Sequence, residues 1–432
     1  MLRRFVLGAA ALFASAAPLT AQSLRDEVKN LFTFGSCGEI ICLSPDLAGF
    51  HGDHFKTAAD SSGEAFIAFI SSSIGISVSN TPVSSSSSGT TFKFEGGVPV
   101  KTSTSAGPVF AERAQTLGRG RWFVGLGFSQ MSFQRLRGIP LKSINFNLTH
   151  EDVMDPGASG IDTLGNPAYE NDYISQKVAM DVSLAVASFS LTYGLVDGID
   201  LGVTVPIVRT ALHGNSTAQI VSTTGVVIHY FTGTAVNPVT SAVSSAEGAA
   251  TGLGDVEARL KINVAQSDRI GVAVFGAARL PTGDEADLLG AGAFAGRGVG
   301  IVSGRFGDFN PHLNIGYSFR DAKDQNSSVD VAAGYDALLA PWATTVFDLL
   351  GSWQVGKSKL QVPAPVVYDA PVRRSFDVTN IPSQQDNYMS ATVGFKFATR
   401  RGIQIVTNAL FPLRNSGLQP SVMWTGGLEY NF

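Results

Sequence analysis

The sequence predicts an all-β fold: a transmembrane antiparallel β-barrel of about 14 strands with an N-terminal plug or hatch segment. Three observations carry this. From residue 120 onward, apolar residues recur at every second position over stretches of roughly ten residues, the period of a strand with one apolar face. The segments between these stretches alternate between tight turns and long connections rich in Gly, Pro, Ser and Asp. Charge is also scarce, at 15% of residues against about 25% in an average soluble domain. The same composition excludes other classes. No run of about 20 apolar residues follows the first twenty positions, which excludes a helical membrane protein. A formal net charge of -4 supports neither disorder through self-repulsion nor binding of nucleic acid.

Arg3 and Arg4 precede an apolar stretch from Phe5 to Ala17, and small residues follow to Ala21. Residues 1–21 therefore read as a secretory signal peptide cleaved before Gln22. Residues 22–88 form the plug or hatch, starting on the periplasmic side and ending in a Ser-rich hinge, SNTPVSSSSSG. An alternating run within it, Phe66/Ala68/Ile70 to Ile74/Ile76/Val78, would make the strand total odd, so it is given to the plug. Cys37 and Cys42 lie close together in an exported chain and are expected to pair in a short-loop disulfide. His51, Asp53 and His54 read as a polar hatch loop, because no further metal ligands adjoin them.

Residues 89–432 form the barrel. Strands are expected near 89–98, 121–134, 141–150, 174–194, 199–212, 250–265, 269–281, 297–306, 309–320, 328–338, 343–355, 387–398, 402–412 and 420–432. In 256–264, Val256, Ala258, Leu260, Ile262 and Val264 face one way, and Glu257, Arg259, Lys261 and Asn263 the other. Alternation alone does not separate a soluble sandwich from a membrane barrel, so connection length decides. Turns near 196–198, 266–268, 307–308, 339–342 and 399–402 are tight. Those near 151–173, 213–249, 282–296 and 356–386 are long, with 320–328 and 413–419 shorter members of that class. Such alternation is the pattern of periplasmic turns and extracellular loops. Trp122, Trp353 and Trp424 are placed toward the loop ends and Tyr430 and Phe432 at the opposite rim, forming two aromatic girdles. The chain ends on Phe432, like the terminal signal by which barrel-assembly machinery recognises outer-membrane proteins. The expected location is the outer membrane of a Gram-negative bacterium, in contact with lipid and lipopolysaccharide.

Interior parity collects the charges Lys177, Asp181, Glu257, Arg259, Lys261, Arg279, Asp330, Asp336, Asp348, Lys396 and Glu429 as candidate lumen-lining residues. Folding alone favours this, since Arg or Lys on the lipid face costs about 2–4 kcal/mol at the midplane. A polar ladder guiding a solute is the functional reading. In two strands the parity slips. Trp122, Val124, Leu126 and Phe128 hand over to Met131 and Phe133, while Val182, Leu184 and Val186 hand over to Phe189, Leu191 and Tyr193. Bulges near 129–131 and 187–188 would produce this.

The segments YGLVDGIDLGVTVPIV (193–208), GLGDVEARLKI (252–262) and VAVFGAARLPTGDEADLLGAG (272–292) resemble the phenol meta-pathway degradation family of outer-membrane proteins. GPVFAERAQTLGRGRWFVGLGFSQMSF (107–133) resembles its entry segment, so the likeness covers about 107–432. The resemblance implies a transporter similar in architecture to FadL-type channels, with a fourteen-stranded barrel, an N-terminal hatch and sideways release through a kinked strand. The function it implies is passive passage of small hydrophobic or aromatic organic molecules. A surface-interaction barrel or a barrel hydrolase with a Ser/His pair at His312 is the alternative. Asp284, Glu285 and Asp287 are a Ca²⁺ candidate at the outer rim or, more simply, a solvated acidic loop. Neither a Walker A nor a dinucleotide glycine motif occurs, so no cofactor, no metal and no enzymatic activity is expected.

Overall fold

A computed structural model describes residues 22–35, 40–43, 53–80, 92–95, 98–101, 108–151, 171–222, 225, 227–369 and 372–432. The expected signal peptide, Cys37, His51 and all but the first two residues of the Ser-rich hinge lie outside them. Cys42 is disulfide-bonded, and the chain has one other cysteine.

Strict alternation with tight turns produces a meander that closes on itself. Its strands are β1 (Trp122–Leu136), β2 (Tyr173–Val196), β3 (Ile199–Val221), β4 (Glu257–Gln266), β5 (Ile270–Arg279) and β6 (Ala295–Gly304). β7 (Phe309–Arg320), β8 (Ser328–Ala340), β9 (Ala343–Gln354), β10 (Tyr388–Ala398), β11 (Gln404–Pro412) and β12 (Leu418–Asn431) complete it. Each strand pairs antiparallel with the next, and β12 returns to β1, giving a closed ring of twelve. Closure leaves no sheet edge within the ring.

The count is thus twelve, not about 14. The expected strand at 89–98 is replaced by a separate hairpin, Phe92–Glu95 with Val98–Lys101. The expected strand at 141–150 is Ile144–Thr149, which pairs with the far end of β2, outside the ring. The expected strand at 250–265 splits in two. Its first part, Ser241–Leu253, pairs with the upper half of β3, while β4 pairs with the lower half. The break is locked by the residues that carried the family likeness. Buried Asp255 accepts the backbone N–H of Gly283 and Ala291 at 3.0 and 2.8 Å. Thr282 Oγ1 donates to Gly254 O at 2.7 Å and accepts from Val256 N at 3.0 Å.

On the outside of the ring, Leu126, Phe128, Leu201, Val203, Leu260, Ile262, Ile315, Tyr317, Phe395 and Leu428 are all exposed. Against water this band would be costly, whereas lipid accepts it. Among the described residues, no helix is long and apolar enough to cross a membrane. Trp122 stacks against Tyr193 at 4.5 Å and exchanges backbone bonds with Phe432. It therefore belongs to the short-turn rim with Tyr430 and Phe432, not to the loop end.

β2 and β3 have 24 and 23 residues, against 9 in β11, so their hairpin stands well beyond the other strands. Neither expected bulge exists. The β1–β2 pairing runs unbroken from Trp122↔Tyr193 to Phe133↔Val182, and β2–β3 is continuous from Tyr173↔Val221 to Gly194↔Asp200. Side chains keep their faces, and it is the surroundings that change. Near the short turns the outer face meets lipid, and Ser188, Ser190 and Thr192 face in. Farther up, Val178, Val182, Leu184 and Val186 face in and are buried. The apparent slip marks the level where the hairpin leaves the apolar band. The register irregularities in this region lie instead in the β12–β1 pairing, on either side of Pro420, opposite Arg135–Phe133 and Phe133–Met131.

What β2 and β3 cover is the N-terminal segment. Helix α1 (Leu24–Asn30) is capped by Ser23, whose side chain accepts from Asp26 N. Helix α2 (Lys56–Asn80) buries Phe66, Ile67, Phe69, Ile70 and Ile74. Their spacing is helical, so the alternation seen at 66–78 was coincidental. Phe32, Phe66 and Phe146 make mutual edge contacts at 5.2–6.1 Å, in one core with Phe133, Val182 and Leu212. α1 is tied to the loop after β5 through Arg25 N to Ala286 O at 2.9 Å and the Arg25–Glu285 ion pair at 3.1 Å. The described part of 22–88 therefore sits at the long-loop end, not the short-turn end where the sequence reading started it. The chain reaches β1 by a strap, residues 108–120, that descends through the lumen.

Candidate functional site

The strap is fixed by groups on five strands, including Ser303 of β6, which accepts from Ala114 N at 3.0 Å. Glu112 pairs with Lys261 of β4 at 2.6 Å, and its backbone N–H donates to Asn314 Oδ1 of β7 at 2.7 Å. Arg113 forms an ion pair with Asp336 of β8, in which both side chains are buried. The Leu117 N–H donates to both oxygens of Asp200 on β3, at 3.1 and 3.0 Å. At its foot the strap passes so close to β2 that a Cβ on Gly194 would lie 1.9 Å from Gly118 O. That contact gives the YGL motif its glycine.

Above the strap lies a cavity of about 230 Å³. Val109, Phe110 and Glu112 form its floor and Ser77 of α2 enters from above. One wall is charged. Glu257 receives Arg259 Nε at 2.6 Å and Arg279 Nη2 at 2.7 Å, and Arg297 lies over the Phe275 ring, 5.6 Å from its centroid. Asp330 accepts from Ser328 and Ser352 hydroxyls at 2.9 and 2.6 Å, and from Ser318. The other wall is apolar, built from Met131, Leu350, Leu410, Leu418 and Met423. A second cavity, about 790 Å³, opens between α1, α2 and the loops after β5 and β7. At its rim the Asp324 carboxyl is held above the usual range by burial, with Glu285 adding in the same direction. Gly75 of α2 packs against Ala291 and Gln325, close to both spaces.

Of the eleven candidate lumen residues, nine face inward. Glu257, Arg259, Arg279 and Asp330 meet at the cavity, while Lys261 and Asp336 hold the strap. Asp348 is buried against His312 Nε2 at 2.6 Å, and Lys396 and Glu429 form a buried pair at 3.0 Å. Lys177 and Asp181 do not face the lumen. They lie exposed on the outer side of β2, above the apolar band, where Asp181 meets Lys142 at 3.2 Å. There the buried side of the strand is apolar because it packs on the plug, which inverts the inference from charge to lumen. Missed entirely were Arg297, which shares parity with Val299 and Ile301, and the strap residues Glu112 and Arg113, which belong to no strand.

The acidic loop is used for tethering. Asp284 accepts from Ala286 N at 2.9 Å, Glu285 binds Arg25, and Asp287 accepts from Leu24 N at 3.3 Å. His54 Nδ1 lies 3.2 Å from His150 Nε2 and joins the plug to Ile144–Thr149's end. No three potential metal ligands converge among the described residues.

No family model matches the chain, and no curated protein matches its sequence. The motif resemblance to the phenol meta-pathway family is therefore not confirmed. Among solved structures, it is similar to an outer-membrane channel from Pseudomonas putida F1. That match has 11% identity and a TM-score of 0.41, covering 74% of this chain and 98% of that one. It is also similar to a deltaS2S3 mutant of the TodX monoaromatic hydrocarbon channel (11% identity, TM-score 0.33, covering 72% and 89%). A Pseudomonas aeruginosa FadL homologue matches with 11% identity and a TM-score of 0.31, covering 72% and 89%. At these values the neighbours carry no conclusion about what this chain binds or transports.

Proposed function

We propose that the protein is a passive outer-membrane channel for small organic molecules with an apolar or aromatic body. The observation that carries this reading is the mixed cavity, with apolar and charged walls, enclosed in a closed barrel whose outer face is apolar. The long-loop end then faces outward, the short turns face the periplasm, and assembly uses the terminal strand ending in Phe432. Among the described residues, nothing in the lumen assembles a nucleophile with a base. His312 is held between Asp348 and Asp336, at 2.6 and 4.0 Å, away from any paired serine among the described residues. The charged residues that face the lumen do two things in this reading: some fix the strap, and the remainder give the cavity its polar side.

The test is uptake by the full-length protein in liposomes. A labelled single-ring compound should enter protein-loaded vesicles faster than protein-free ones, while a disaccharide of larger size should not. Equal entry of both solutes would make it a general pore. No accelerated entry of either would leave a barrel without transport.

A further inference from the structure

Resting on that channel reading, we infer that the central cavity selects an organic anion, holding a carboxylate-type head on Arg297 and Arg279 and the apolar body against Met131, Leu410 and Met423. Four guanidiniums gather on the charged side, those of Arg259, Arg279, Arg297 and Arg320, against two carboxylates, Glu257 and Asp330. Glu257 is shared by Arg259 and Arg279. Asp330 accepts from three serine hydroxyls. The nearby Glu112 is already bound to Lys261. Arg297 has neither an ion pair nor a hydrogen bond among the described residues. It faces Phe275 and the open cavity. A guanidinium presents paired N–H donors that match a carboxylate or similar planar anion, and here Arg297 is exposed on the cavity wall.

The opposite wall supplies the rest of the ligand. Arg259, Arg279 and Arg297 stand on β4, β5 and β6, with Arg320 on β7, and Ala277 between Arg259 and Arg297 is small enough to leave them side by side. Leu410 and Met423 stand on β11 and β12, four to six places away round a ring of twelve, so the two walls face each other across the lumen. An inorganic anion would leave the apolar wall unused, and a neutral hydrocarbon would leave Arg297 unanswered. At about 230 Å³ the space falls below the ~300–1,000 Å³ typical of drug-sized ligands. It suits one ring or a short chain.

The experiment is binding of 4-fluorobenzoate to the purified full-length protein in non-ionic detergent, read by fluorine NMR, with 4-fluorobenzyl alcohol as the neutral isostere. The benzoate should bind more tightly than the alcohol. Arg297→Gln should weaken it about tenfold, as expected for losing one charge-assisted contact, and leave the alcohol unchanged. Arg297→Lys should restore most of the preference. Inorganic phosphate should compete poorly. Equal binding of acid and alcohol, no effect of Arg297→Gln in a folded barrel, or competition by phosphate as strong as by benzoate would overturn the inference. Liposome flux of the same benzoate separates the two levels. Anion-selective binding without flux supports the site and overturns the channel reading.

Discussion

Lys396 and Glu429 show what an inward charge costs and how the sequence meets that cost. They lie on β10 and β12 with Gln404 and Val406 of β11 between them, both almost fully buried and 3.0–3.1 Å apart through both carboxylate oxygens. Removing one partner strands the other in a dry wall, which typically costs about 3–5 kcal/mol, whereas replacing both with apolar residues is often neutral. Lys396→Met should therefore destabilise the barrel by about 3–5 kcal/mol, and Lys396→Met combined with Glu429→Met should recover most of the loss. Denaturant unfolding of all three variants in detergent reads this directly, and additive losses in the double variant would contradict it. The pair was visible in the sequence as two residues of inward parity. Their partnership was not, because 33 positions separate them and only barrel closure brings β10 and β12 to one place.

At the scale of elements, on the channel reading, the strap is the part that decides whether anything passes. Residues 109–117 cross the lumen held by Arg113–Asp336, Glu112–Lys261 and Leu117–Asp200. Asp336→Asn removes the charge that holds Arg113 while keeping size and a hydrogen-bonding amide. It should loosen the strap and raise single-channel conductance in planar bilayers severalfold, with the far-ultraviolet signature of the barrel intact. Conductance equal to that of the parent protein would mean that the remaining contacts suffice to hold the strap shut. No sequence pattern marked this element. It has neither a strand's alternation nor a helix's period, and its side chains acquire meaning only from the wall they meet. The helix α2 was misjudged for a related reason: enclosed on nearly every side, it buries residues at several phases, and a period-2 subset can be picked from them.

For the whole molecule, one alternating code is read by three environments. Outer positions meet lipid along most of the ring and water along the upper β2–β3 hairpin. Inner positions meet a polar cavity and strap below, and an apolar plug above. This yields a direct contrast. Ile315→Lys, midway along β7 in the lipid-facing band, should cost about 2–4 kcal/mol of folding stability in bilayers. Lys177→Glu, on the outer face of β2 above that band, should leave stability unchanged. Equal losses, measured by reversible unfolding in lipid vesicles, would show that the hairpin does not leave the membrane.

The sequence by itself determined that the chain is an antiparallel barrel, where its tight turns fall, and that the two faces of each strand differ. Those follow from a period of two and from the cost of placing charge in lipid, both local properties. The tertiary structure decided the number of strands in the ring, the side on which the plug sits, the path of the strap, and which inward charges line the cavity. These depend on which surface each face meets after closure. A strand's alternation specifies that its two faces differ, but not whether an inward apolar residue touches a plug or an outward polar residue touches water.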